Sequence, residues 1–136
     1  MALDQAGLQV LSDEECLRLL AHKRASVGRL AFVDHDKVLV LPVNYRWHDG
    51  AVVIRTGPGV MQAAGARGTQ ATFEVDEVDV AWREGWSVLA HGRLEEVTKP
   101  DEADELRQLP LHPWAEGDRQ TLLRLRPESV SGRRIL

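Results

Sequence analysis

Apolar and polar positions alternate with a period of two along most of the chain, the spacing of half-buried β-strands. Ser26–Asp34 (SVGRLAFVD) predicts a strand, His35-Asp36 a turn, and Lys37–Trp47 (KVLVLPVNYRW) a longer strand. His48-Asp49-Gly50 is the next turn, Asp-Gly being a strong hairpin signal, and Ala51–Thr56 (AVVIRT) returns antiparallel. Pro42 has no amide to donate, so its place inside the second strand predicts an edge, a bulge or a break. Gln70–Asp76, Glu84–Val97, Thr121–Arg126 and Val130–Ile135 bring the total to roughly six or seven strands. Gly92, inside the long Glu84–Val97 run, predicts a bulge.

The period lengthens at a few places. Residues 1–11 read as a loose lead-in, after which Ser12 and Glu15 have capping-box spacing. Cys16, Leu17, Leu19 and Leu20 then form an apolar stripe, predicting a helix over 12–23 that ends near Lys23-Arg24. Gly57-Pro58-Gly59 opens a short helix, Val60–Ala66. Gly65 within it costs about 1 kcal/mol against Ala, which predicts close packing on a neighbour. Pro100–Leu109 starts with proline and acids and predicts another helix, followed by a loop over Leu111–Gly117. Links between strands are mostly of hairpin length, so the sheet is expected to be antiparallel, with its edges hidden by closure, covering or dimerisation. The expected class is α+β, mainly β: an antiparallel barrel with short flanking helices, in a single domain over residues 1–136.

Composition narrows the partners. The net charge is −4 over 136 residues, which argues against nucleic acid as the main partner. Lys23, Lys37 and Lys99 are the only lysines among 17 basic residues. The Arg bias fits base composition first, and recognition of phosphate or carboxylate only as the lesser reading. Cys16 is the single cysteine, so no internal disulfide forms and a reducing compartment fits. With early acids and no long apolar run, neither a signal peptide nor a membrane span is expected, and cytoplasm is the expected location.

His22, His35, His48, His91 and His112 show no metal-ligand spacing, so no metal site is expected. No nucleophile elbow, Walker A motif or GxGxxG is present. Cys16 reads as a core residue, and Glu74, Asp76, Glu77 and Asp79 as a solvated face. The segment from Pro42 to Gly57 stands out. Arg55 and Thr56 close a strand and enter a Gly-rich turn that opens a helix. Arginine, hydroxyl and helix-start amides together suit a phosphate, although a strand-end surface Arg is an equal alternative. Trp86-Ser87 offers a ring and a hydroxyl at a strand start, or simply a core or interface Trp.

Gly28–Phe32 (GRLAF), Leu41–Gly57 (LPVNYRWHDGAVVIRTG), Ala71–Asp79 (ATFEVDEVD), Gly85–Val97 (GWSVLAHGRLEEV) and Ser131–Ile135 (SGRRI) occur in this order. The set resembles the pyridoxamine 5'-phosphate oxidase-like split-barrel flavoproteins, in particular the small bacterial branch with nitroimidazole reductase-like proteins. The resemblance implies a six-stranded antiparallel split β-barrel, forming a homodimer with FMN at the subunit interface; a deazaflavin is the alternative cofactor. It implies that Pro42, Val43, Asn44 and Tyr45 run beside the isoalloxazine. Arg55, Thr56 and Gly57 would hold the phosphate, and Trp86 and Ser87 would reach the cofactor at the interface. Met61 stands near the helix start, where relatives of this branch usually carry Lys, so one phosphate-binding charge is missing. The implied activity is that of an FMN-dependent oxidoreductase acting on a small organic substrate. A non-catalytic flavin-binding or storage protein and a deazaflavin-dependent reductase are the alternatives. No catalytic side chain is assigned, because a flavin carries its own chemistry.

Overall fold

The computed structural model describes residues 2–22, 27–111 and 121–135. The expected loose lead-in is a built turn. One carboxylate oxygen of Asp4 accepts the amides of Ala6 and Leu8, both at 2.9 Å. Strand β1 (Gln9–Val10) then pairs with the C-terminal strand. Helix α1 (Asp13–His22) is capped by Ser12, whose hydroxyl accepts the Glu15 amide at 3.2 Å. The return half of the capping box is replaced: the Glu15 carboxylate turns to Arg18 (3.1 Å) and Arg134 (3.8 Å). Cys16 and Leu20 are the buried residues of α1. Lys23-Arg24 lie outside the described residues.

Strands β2 (Val27–Asp34) and β3 (Lys37–Asn44) form a hairpin through left-handed His35 and Asp36. Strands β4 (Arg46–His48) and β5 (Ala51–Thr56) form a second, turning at left-handed Asp49 and Gly50. The single strand expected over 37–47 is therefore two, and the break falls at Tyr45 rather than Pro42. Pro42 pairs with Arg29 on the outermost strand of the sheet, where a missing amide is tolerated. At Tyr45 the chain leaves β2 and joins β5. Tyr45 is buried, its hydroxyl donates to the Leu20 carbonyl at 3.0 Å, and its ring meets Phe73 edge-on at 4.7 Å. That anchor fixes where one half of the barrel passes the chain to the other.

Helix α2 (Val60–Arg67) leads to strands β6 (Gln70–Asp79) and β7 (Glu84–Glu96). Helix α3 (Pro100–Arg107), β8 (Thr121–Leu125) and β9 (Ser129–Ile135) follow. The loop expected over 111–117 falls outside the described residues beyond Leu111. The strand order is β3-β2-β6-β7-β8-β5-β4, with β9 between β7 and β1, and all pairs are antiparallel. Among the described residues this makes nine strands, more than the six the resemblance implied, within the same mainly β architecture.

Strand β7 is the spine. It pairs with β6 along one edge, while its other edge serves β9 from Gly85 to His91 and β8 from Leu94 to Glu96. The bulge expected at Gly92 is absent, because the β6 ladder runs unbroken past it. Gly92 instead lies where β7 changes partner, and a Cβ there would strike the Arg126 carbonyl. The expected close packing of Gly65 is present, against Leu123.

The main core fills the barrel, with Leu30, Phe73, Val75, Val88 and Leu94 fully buried. Each such side chain stabilises by about 1.5–3 kcal/mol relative to exposure. A second, smaller cluster of Val53, Val97, Ala103, Leu106, Leu111 and Leu122 lies under α3. Strand β5 is apolar on both faces because Val52 and Ile54 serve the first cluster and Val53 the second. Among the described residues no helix is long and apolar enough to cross a membrane.

Candidate functional site

Two places collect the sequence-predicted residues. The first is a corner where the end of β3 touches β5. Arg46, two residues after Asn44, pairs with Val53, two residues before Arg55. Val43 and Tyr45 are buried, while Pro42 is exposed and Asn44 half-buried. Alternation therefore turns Pro42 and Asn44 away from the core. Arg55 is half-buried, with Thr56 and Gly57 buried next to it. Gly59 (φ 147°) opens α2, and among the described residues no side chain caps that helix. Helix-start amides of this kind suit an anionic acceptor. Met61 is half-buried and packs on the main core. An apolar residue at that position is part of the barrel wall.

The second place is the outer face of the sheet at β6, β7 and β9. Asp76, Ser87 and Arg133 form one cross-strand row there. A depression of about 260 Å³ is lined by this row with Leu8, Val78, Gly85, Trp86 and Ile135. Trp86 also leans on the main core. Arg133 Nε donates to Asp4 Oδ2 at 3.1 Å and its Nη1 to the Gly132 carbonyl at 2.9 Å. The Leu8 amide, foremost, with the Ala6 amide and Arg133, holds the Asp4 carboxyl below its ordinary range against a smaller opposing effect of burial. Arg29 lies 3.7 Å from Asp76. Sequence reasoning missed Asp76 and Arg133 as site residues. Their signal was the period-two pattern, which turns Asp76, Ser87 and Arg133 to one side once the register is known.

One copy of the chain keeps these places apart. The depression takes in no residue of the corner. Pro42 on β3 and Ser87 on β7 sit three strands apart in the sheet order, roughly 14 Å. Arg55 pairs with Leu122, next to the partner of Glu96, at the far end of β7 from Ser87. Toward the β2–β3 hairpin, beyond Pro42, the outer face is apolar. Val33, Val38 and Val40 are 55%, 70% and 59% exposed. A groove of about 280 Å³ beside them reaches Thr72 and His91, whose Oγ1 and Nδ1 are 2.9 Å apart. Among the described residues no three His, Cys, Asp or Glu side chains gather as a metal site.

The family model described as pyridoxamine 5'-phosphate oxidase matches residues 12–134. The chain belongs to the pyridoxamine 5'-phosphate oxidase family. A relative, the uncharacterised protein Rv0080 of Mycobacterium tuberculosis, is 34% identical over 132 residues, covering 93% of this chain and 84% of that protein. Among solved structures, a FAD-binding protein from Mycobacterium smegmatis is 27% identical with a TM-score of 0.73, covering 93% of this chain and 96% of that one. A FAD-binding protein from Mesorhizobium loti is also 27% identical, with a TM-score of 0.75 and coverage of 95% and 99%. Family membership therefore rests on nearly the whole chain and on the barrel described above.

Proposed function

We propose that this chain is a flavin-dependent oxidoreductase that works as a homodimer, each flavin lying between the corner of one copy and the outer sheet face of the other. The observation carrying this reading is the separation itself. Residues suited to one cofactor form two groups that a single copy holds apart, and an exposed apolar strip on β2 and β3 adjoins the first of them. The depression also falls short of the roughly 300–1,000 Å³ of a small-molecule pocket, so a second copy laid on the face would deepen it.

In this arrangement Arg55 and Thr56, with the uncapped start of α2, hold the phosphate. A guanidinium suits that role through its forked donors. The backbone from Pro42 to Tyr45 borders the ring, and Trp86 and Ser87 reach it from the facing copy. The flavin, when bound, supplies electron or hydride transfer. The chain's own residues bind the cofactor, orient it and exclude water around it. FMN is the cofactor proposed first. The two relatives named as FAD-binding favour FAD as the second reading, and with Met61 in the corner the phosphate relies on Arg55 and the helix amides. The substrate is a small organic molecule.

The test is a titration of purified protein with FMN and FAD, followed by flavin fluorescence, alongside light scattering. The expected result is a dimer that takes one flavin per chain and turns it over with a reductant and an acceptor. A monomer, or a dimer that takes neither flavin, would overturn the reading.

A further inference from the structure

Among the described residues, Val80 and Trp82 are the most exposed large apolar side chains, at 84% and 76%. Both sit in the turn between β6 and β7. That turn is built rather than loose. Asp79 Oδ1 accepts the Trp82 amide at 3.2 Å, the Val80 carbonyl accepts the Arg83 amide at 3.4 Å, and Arg83 is left-handed (φ 53°). An ordered turn that holds an indole and an isopropyl group out in water is suited to a surface that covers them.

A complementary surface lies at the opposite end of the same two strands. The groove of about 280 Å³ runs from Ala31, Val33 and Val38 to Thr72 and His91, and it has room for one indole ring. Charge matches as well as shape. At the β2–β3 end of the groove Lys37, Arg67 and Arg93 outnumber Asp34 and Asp36, whereas around the β6–β7 turn Glu77, Asp79 and Glu84 outnumber Arg83. An acidic tip carrying an aromatic knob thus faces the requirements of a basic-rimmed apolar groove.

One chain cannot bring the two together. At about 3.3 Å per residue, β6 and β7 hold the turn and the groove roughly 30 Å apart. Two copies can, because a twofold rotation lets each turn enter the other copy's groove. Such an axis passes midway between them, at Asp76 on β6. Asp76 then faces its own copy, and Arg29 at 3.7 Å offsets the like charge. Pro42 lies two strands from β6 on one side, and β9 lies two strands away on the other. The same rotation therefore sets Pro42 of one copy on β9 of the other, near Arg133 and Ile135 in the wall of the depression.

We propose that the β6–β7 turn is a docking arm, its Trp82 seated in the groove between Val33 and His91 of a second copy, about a twofold axis at Asp76. The inference rests on the homodimer of the reading above and says how that homodimer is held: the arms set the distance at which one copy's corner meets the other's face.

The experiment mixes full-length Ala81→Cys chains with Val38→Cys chains under mild oxidation. Both positions are exposed, and the native Cys16 is buried. A disulfide-linked dimer is expected from the mixture and from neither variant alone. By light scattering on dilution, Trp82→Ala should raise the dimer dissociation constant at least about thirtyfold, as truncation of a buried interface tryptophan does. Val33→Glu, on the groove side, should weaken the dimer at least about tenfold by repelling the acidic tip. A disulfide from Ala81→Cys alone, none from the mixture, or a dimer indifferent to Trp82→Ala would overturn the proposal. A flavin-binding dimer that gives no mixed disulfide overturns this inference alone. A dimer that forms the disulfide but takes no flavin overturns the function and leaves this interface standing.

Discussion

The corner and the outer face come from the same period-two pattern, yet they are built in opposite ways. In the corner every second side chain belongs to the core: Val43, Tyr45 and Thr56 are buried, and Met61 packs on the barrel. On the outer face, Ser87 and its row look away from the core, and Gly85 leaves its floor open. The difference teaches where stability and recognition can be separated. A change in the corner touches both, whereas a change on the face touches recognition alone.

Tyr45→Ala should have the largest effect. It leaves a cavity beside Phe73 and removes the donor to the Leu20 carbonyl. The expected loss is about 3–5 kcal/mol of stability, read by urea or thermal unfolding. A loss under about 1 kcal/mol would erase the contrast between the two regions. Arg55→Ala should weaken flavin binding by about 1.5–3 kcal/mol in a fluorescence titration. Ser87→Leu should lower flavin affinity at least about tenfold while leaving stability within about 0.5 kcal/mol, as an outward substitution does. Equal damage to stability would mean that Ser87 is part of the core packing.

The smallest effect is one of pH. Burial, against a lesser opposing influence of Arg46, pushes the Tyr45 phenol up to about 12 from an ordinary value of 10. The neutral phenol is thus favoured in the fold. Its contribution is complete below pH 10 and is lost as pH rises toward about 12. Melting temperatures of the native protein and of Tyr45→Phe, compared across that window, should converge at the alkaline end. Below it the variant should be less stable by about 0.5–1.5 kcal/mol, the net worth of a hydrogen bond. A constant gap across the window would place the hydroxyl in contact with water.

The strands and both hairpin turns were legible because alternation and Asp-Gly chemistry are local. The split at Tyr45 was not, since it depends on Leu20 and Phe73, which are distant in sequence. Gly92 drew a bulge on local grounds, yet its reason is the Arg126 carbonyl passing close by. The lead-in read as loose because the partners of Asp4 and β1 include Arg133 and Arg134 at the other end of the chain. Arg55, Thr56 and Ser87 were legible as residue types beside turns. Asp76 and Arg133 became candidates only once the β6–β7–β9 register placed them beside Ser87.

Whether two copies share each flavin is tested most directly by mixing Arg55→Ala chains with Ser87→Leu chains. Each variant alone forms dimers in which every site carries one defect. If the corner and the face come from different copies, a mixed dimer holds one intact site and one doubly altered site, and flavin titration should recover one tight site per mixed dimer. If a single copy supplies both groups, every site in the mixture keeps a defect, and mixing would restore no tight binding.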